Sequence, residues 1–423
     1  MCDLKIFLNS SLTAYHACEN AAAMLYENGF AELKENEDFN IKRGGKYFVR
    51  RDGSAVIAFS VGNENSFNVV ASHADSPCFK LKGIKGTTQD NYRKFNVERY
   101  GGGIFYSWLD RPLKIAGRLI VGCGDEIKSQ LFISESDFVI PSVAIHFNRN
   151  VNDGVKLNPQ VDMSPVESII SNSGLSDEIK AKTGDNELID ADLFVVCAQE
   201  PFSAGINGEL LCAPRVDDLS SAFASLVALI KAEPKAIDVV YIADNEEVGS
   251  RTKQGAGSEF LCGVLTRISE KLGFTADFSG KVTANSFMLS FDNAHAVHPN
   301  HPELSDPVNR VLMGNGIVIK RHANQNYTTD GFSSAVIKTL FKSAGVKFQD
   351  FYMRSDLPCG GTLGAISSEH LSIRSADIGI AQLAMHSAVE TIAAADYCEA
   401  VKGLEKFFSV AFCADGCDLL KII

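Results

Sequence analysis

No run of apolar residues in the chain approaches the roughly 20 that a membrane-crossing helix needs. The opening Met-Cys-Asp-Leu-Lys-Ile-Phe has neither the basic start nor the apolar stretch of a secretory leader. Positive charge is in the minority: 40 Lys and Arg stand against 52 Asp and Glu, for a formal charge of −12. That balance excludes the basic footprint of a nucleic-acid binder, and an acidic substrate would need a local positive pocket against the overall field. Among 11 cysteines there is no Cys-x-x-Cys pair, and Cys197 lies inside the apolar run Leu193-Phe-Val-Val-Cys197. Such thiols behave as small hydrophobes, so neither a disulfide framework nor a cysteine metal site is expected. The Gly101-Gly102-Gly103 triplet lacks the Gly-x-Gly-x-x-Gly spacing of a phosphate loop and is read as a turn. Repeats and low-complexity segments are absent too. The expectation is a cytoplasmic protein with no membrane and no nucleic-acid partner.

What is present is a globular composition, 45% hydrophobic and 22% charged, over 423 residues, enough for two domains with sizeable cores. Residues 10–30 read as an amphipathic helix, with Ser10 and Ser11 as caps and Gly29 as its stop. Strand signals follow at Lys46–Arg50, Ala55–Ser60 and Ser66–Ala71, the last running straight into His73. From about residue 84 the texture turns to short strands and turns, including Leu113–Val121 and Asp192–Val196, with a polar stretch near 170–188. After residue 211 it reverts: a helical run Leu219–Ala232, a buried strand Ala236–Ala243, a strand Ser286–Asp292, and helical composition over Asp377–Ala394. The reading is an α/β domain, residues 1–83 and 211–423, interrupted by a mainly β domain, residues 84–210.

The chemistry-bearing residues cluster at the ends of these strands, where open α/β sheets carry their sites. His73-Ala-Asp75 pairs a candidate metal imidazole with a carboxylate able to fix its tautomer. Glu246-Glu247 follows a buried strand, where adjacent carboxylates are costly unless they bind metal or share protons. One can ligate while the other stays free as a base. Asp217 can bridge two cations through its two oxygens, whereas Asp218 suits a helix cap and is given no metal role. Asp292 closes another strand. Of the nearby histidines, His295 is read as a substrate contact, and His298 and His301 as structural or solvent-facing. His386, on what reads as an apolar helix, supplies the second nitrogen donor. Two histidines, three carboxylates and a spare glutamate make the inventory of a dinuclear zinc hydrolase with its own general base.

Several longer segments sharpen this. Ser72-His-Ala-Asp-Ser-Pro77, Tyr100-Gly-Gly-Gly103 with Trp108-Leu-Asp-Arg-Pro112, Ile145-His-Phe-Asn-Arg149 and Pro214-Arg-Val-Asp217 come first. Asp244-Asn-Glu-Glu-Val-Gly-Ser250, Ala294-His-Ala-Val-His-Pro-Asn300, Arg354-Ser-Asp-Leu-Pro-Cys-Gly360 and Gln382-Leu-Ala-Met-His-Ser387 follow in order. Together they resemble the aspartyl aminopeptidase family, from Phe7 to the C-terminal helix. The resemblance implies a zinc-exopeptidase-like α/β/α domain with an inserted β-rich dimerisation domain, assembled as a tetrahedral homododecamer. It implies two zinc ions per subunit, replaceable by cobalt or manganese. His73 and Asp292 would hold one and Glu247 and His386 the other, with Asp217 bridging, Glu246 as general base and Asp75 orienting His73. His146 matches a histidine that reaches a neighbouring subunit's site, and Lys320 a lysine near the substrate side-chain pocket. Two departures bear on substrate preference rather than metal chemistry. Asp218 stands where many members carry Asn, and Gly361 where Cys-Gly-Thr-Thr is common.

The activity implied is release of an N-terminal residue, acidic by preference, from peptides through a zinc-activated water. Rival readings are an aminopeptidase of the same fold that prefers neutral residues and a non-catalytic oligomeric scaffold. A two-metal phosphoesterase is disfavoured, since nothing basic clusters near the ligands.

Overall fold

The structure, a computed structural model, describes residues 1–169 and 173–423; residues 170–172 of the polar stretch near 170–188 lie outside the description. Among the described residues the largest sheet has nine strands. In spatial order they are Ala31–Glu32, Lys46–Arg51, Ala55–Val61, Ile237–Ala243, Phe67–His73, Phe287–Phe291, Arg374–Gly379, Ile317–Arg321 and Phe348–Tyr352. Ile237–Ala243, Phe67–His73, Phe287–Phe291 and Arg374–Gly379 run parallel to one another at its centre. Every residue of the first three of these is buried, so their apolar residues do not alternate with exposed ones, although Asn68, Asp238 and Ser290 are set among them.

One face of the sheet packs on helices Cys2–Ser10, Ala14–Glu27, Val216–Lys231, Gly331–Ser343 and Ala394–Phe408 through a core that includes Phe7, Phe223, Phe287 and Phe407. The other face packs on Phe260–Lys271 and Leu363–Ser368 through Phe59, Tyr241, Phe260 and Leu363. The chain therefore has the α/β/α layering expected of it. A second sheet of five strands joins Cys78–Leu81, Val97–Tyr100, Leu113–Cys123, Glu126–Ile133 and Glu187–Cys197 around its own core of Phe79, Trp108, Phe132 and Val195. Among the described residues, no helix is long and apolar enough to cross a membrane.

Two expected elements are corrected. The helix over 10–30 is shorter than expected, Ala14–Glu27, and a separate helix, Cys2–Ser10, precedes it with Ser11 in the break between them. Thr13, not Ser10 or Ser11, stands at the second helix's start, its hydroxyl 2.8 Å from His16 Nδ1. The helix over Asp377–Ala394 does not form. That segment holds the ends of strand Arg374–Gly379, then Ala381–Leu383 and Glu390–Ala393, and the helix begins only at Ala394. Ala376, Ile378, Ile380 and Ala381 are fully buried, and a strand covered on both faces has no alternation to distinguish it from a buried helix.

Candidate metal centre

The central parallel strands deliver their C-terminal ends to one edge of the sheet, and the candidate residues converge there. Phe67–His73 ends in His73, and Phe287–Phe291 is followed by Asp292. Ile237–Ala243 leads through Asn245, whose φ of 61° turns the chain sharply, into the tight turn Glu246–Val248. Asp217 and Asp218 lie at the start of helix Val216–Lys231, leave helical geometry there, and are joined by a cis peptide bond. His386 is not on a helix: it occupies the loop between Ala381–Leu383 and Glu390–Ala393, with φ +66°.

Asp217 stands between the two histidines. Its Oδ1 lies 3.5 Å from His73 Nε2 and its Oδ2 lies 3.5 Å from His386 Nε2. Glu247 Oε1 is 3.4 Å from the same His386 nitrogen. Ligand atoms of Asp217, Glu247 and His386 fall within 4.8 Å of one another, as do those of His73, Asp218 and Asp292, and those of His73, Glu246 and Glu247. Asp218 thus comes closer to the centre than its reading as a cap allowed, and its Oδ2 accepts the backbone N–H of His73 at 3.3 Å.

Both imidazoles are oriented from behind. His73 Nδ1 faces the carbonyl of Asp75 at 3.0 Å, and His386 Nδ1 faces that of Gly102 at 3.2 Å. Each carbonyl can only accept, so each Nδ1 carries a proton and each Nε2 faces the centre, where it can offer a lone pair to a cation that takes the place of its own proton. The Asp75 carboxylate lies 3.4 Å from His73 Nδ1 and has further work. It accepts the backbone N–H groups of Glu246 at 3.0 Å and Glu247 at 3.1 Å, and the Tyr100 hydroxyl at 2.7 Å.

The donor set fits a pair of zinc ions. Asp217 Oδ1 and Glu247 Oε1 are buried and have no hydrogen-bond donor, which is costly for a carboxylate unless a cation completes it. Burial opposes charge on His386, yet Asp217 and Glu247 override it and push the imidazole up to about 10. Against the pull of burial, His386 and His73 hold Asp217 well below the usual carboxylate range. Burial raises Glu247 and Asp292, with Asp217 adding to both. Buried carboxylates crowded in this way carry an excess of negative charge that bound cations would offset. Burial, reinforced by Asp292, Asp75 and Asp217 against the opposing His73, also pushes Glu246 up to about 7.

A cavity of ≈ 190 Å³ opens over these groups and is lined also by His295, Lys320, Tyr327, Gly361 and Met385. Lys320 is buried, with its ammonium donating to the carbonyls of Asp292 at 2.7 Å and Asn293 at 3.3 Å. His146 is not brought here. It lies in the exposed stretch 141–150, away from the residues that line the cavity. His298 and His301 are exposed, with their rings tilted against each other and centroids 5.2 Å apart.

Sequence reasoning passed over three supports. The glycine triplet is more than a turn, because Gly102 holds His386, and a Cβ on Gly101 would meet Glu247 Cβ at 3.1 Å. Tyr100 reaches Asp75, and buried Glu390 accepts backbone N–H groups of both Asp217 and His386. A carboxylate four residues after a metal-capable histidine was the available signal for Glu390; Tyr100 had none outside the resemblance.

Residues 7–408 match the family described as Aminopeptidase I zinc metalloprotease (M18). The chain is 41% identical over 424 residues to a "Probable M18 family aminopeptidase 2" of Clostridium acetobutylicum, covering 96% of this chain and 97% of that one. It is 33% identical over 460 residues to the aspartyl aminopeptidase of Dictyostelium discoideum, covering 95% and 94%. The solved S. cerevisiae mApe1 dodecamer is similar in structure, with a TM-score of 0.82 at 30% identity, over 96% of this chain and 95% of that one.

Proposed function

This chain belongs to the M18 family of zinc metallo-aminopeptidases, and from that premise we propose that it releases a single acidic residue from the N-terminus of peptides. The observation that carries the reading is Asp217 set between His73 Nε2 and His386 Nε2 at 3.5 Å each, with Glu246 beside them as an additional carboxylate. His73 and Asp292 would hold one zinc and Glu247 and His386 the other, with Asp217 available to both. Bound there, the zinc pair supplies the Lewis acidity that polarises the scissile carbonyl and acidifies a water. Glu246 takes the proton from the attacking water and returns it to the leaving amine. Asp75 keeps Glu246 in place through its backbone N–H and keeps His73 in the required tautomer. The substrate's α-amine is held by the carboxylates of the centre, which restricts cleavage to the first residue.

Lys320 supports the acidic preference. An ammonium has three donors, two of which go to the carbonyls of Asp292 and Asn293, so one remains for a substrate carboxylate. His295 lines the same cavity as a substrate contact. A neutral preference is the second reading, favoured by Asp292 Oδ2, which lies 3.7 Å from the same ammonium and competes for it.

We further propose that residues 84–210 serve dimerisation within a dodecamer, the assembly of the mApe1 relative, and that in this chain it is tetrahedral. Val143, Ile145 and Phe147 flank His146 at 62%, 51% and 87% exposure, an apolar stretch suited to meeting another subunit and to carrying His146 to its site.

Initial rates on matched Glu-, Asp- and Leu-anilides, before and after chelation and with zinc restored, test the reading. Acidic preference that is lost to chelator and regained with zinc is expected. Leu preference discards the role of Lys320, and inactivity with metal bound discards the aminopeptidase.

A further inference from the structure

Beside the metal cavity lies a second one of ≈ 270 Å³, and the two share His295 and Met385 in their walls. The second cavity is lined by Val311, Phe351, Met353, Leu357 and Leu383, with Leu304 also at its wall. Its character differs from its neighbour's: aliphatic and aromatic groups form the larger part of its wall, with His298, Asp306 and Asn309 among the polar groups beside them. Arg354, which also lines it, is committed elsewhere, with its guanidinium on Asp356 at 2.8 Å and on the Glu303 carbonyl.

We propose that this second cavity is the subsite for the residue after the scissile bond, and that it selects an apolar side chain there. The inference rests on the aminopeptidase reading above and deepens it. With the first residue's side chain in the cavity of Lys320 and Tyr327, the scissile carbonyl sits over the metal ligands. The rest of the peptide must then run outward. An extended chain advances about 3.3 Å per residue and sends successive side chains to opposite sides. The second side chain therefore needs a different cavity, within one residue's reach of the first, and two shared wall residues supply that adjacency.

Gln382 adds a polar counterpart. Asn293 Nδ2 donates to its Oε1 at 2.6 Å, and its buried Nε2 has no hydrogen-bond partner in the structure. Gln382 lines the second cavity, and a peptide carbonyl entering there is the kind of acceptor that this nitrogen lacks.

The test uses the full-length, zinc-loaded protein and measures glutamate release from Glu-Leu-Gly, Glu-Phe-Gly, Glu-Gly-Gly and Glu-Asp-Gly. The expected result is a kcat/KM for the Leu and Phe peptides at least ~10-fold above that for Glu-Gly-Gly, the scale on which apolar pockets discriminate. Leu357→Asp and Leu304→Asp, at positions 38% and 51% exposed and so tolerant of a polar side chain, should each bring the Leu-over-Gly ratio towards one. Equal kcat/KM across the four peptides would overturn the subsite. So would variants that slow all four peptides alike and leave the ratio intact. Failure to release glutamate from any of them, with both metals bound, would overturn the acidic aminopeptidase itself and the subsite with it.

Discussion

Glu390 accepts the backbone N–H of His386 at 2.7 Å through one oxygen and that of Asp217 at 2.9 Å through the other. One buried side chain thus sets the spacing of two candidate ligands that are far apart in sequence. Glu390→Gln keeps the size and loses one acceptor, so one of the two N–H groups meets an amide NH₂ and is left unpaired. The expected outcome is a fall of roughly 10- to 100-fold in affinity for the metal held by His386, the usual cost of losing an outer partner. Chelator competition followed by metal analysis reads this directly. Unchanged affinity for both metals would refute the clamp.

Gly101 carries a φ of +73° and backs onto Glu247. Gly101→Ala asks an L-residue to adopt the left-handed region, at about 1–2 kcal/mol, and sets a methyl 3.1 Å from Glu247 Cβ. Glu247 must yield, so the variant should bind about one metal where the wild type binds two, with its melting temperature only modestly lowered. Full loading of both sites in the alanine variant would contradict the close packing.

These two supports show where the sequence stops being legible. Strands ending in His73 and Asp292 were readable because buried parallel strands announce themselves as apolar runs, and polar residues at their ends stand out. The triplet at 101–103 carries no side chains to signal a role; its contributions are a carbonyl, a turn and an absence of bulk. His386 was assigned to a helix because its surroundings are rich in Ala, Leu and Met, and burial on both faces erased the period that would have shown two strands. Asp218 looked like a cap because Asp before a helix usually is one. Only the fold shows its carboxylate turned towards His73.

Asp238 gives a pH-dependent prediction remote from the metals. It is fully buried on the strand Ile237–Ala243, opposite Asn68, which donates to its Oδ1 at 2.9 Å while Oδ2 has no partner. Burial raises its pKa well above 3.8, with Asn68 opposing. The folded state therefore keeps a proton that the unfolded chain releases above that value. The folded state binds more protons than the unfolded one, so stability falls as pH rises, by at most about 1.4 kcal/mol per pH unit for one group, until the folded pKa is passed. Asp238→Asn is neutral at every pH. Denaturant unfolding from pH 4.5 to 8 should show the variant losing less stability than the wild type, with the gap widening upward. Parallel curves would show that Asp238 does not titrate this way.

Glu246 and Glu247 are neighbours in sequence, and substitution separates their roles. Glu247 Oε1 faces His386 Nε2 at 3.4 Å, within the ligand set that includes Asp217, so losing it removes metal. Glu246 is held by Asp75 through its backbone N–H, and burial with the surrounding carboxylates pushes its side chain up to about 7 in the metal-free site, where binding of cations draws it back towards the ionised base. Glu246→Gln preserves the shape and the backbone bond and removes the ability to take a proton. It should keep both metals and lower kcat by about 10²- to 10⁴-fold, the span typical of a lost general base, with KM little changed. The pH profile discriminates further. An acidic limb of kcat/KM that reports Glu246 ionisation should vanish from the residual activity of the variant, because Gln does not titrate. Near-normal turnover, or a limb that persists at the same pH, would move the base to another carboxylate of the centre; loss of a metal in Glu246→Gln would make Glu246 a ligand instead.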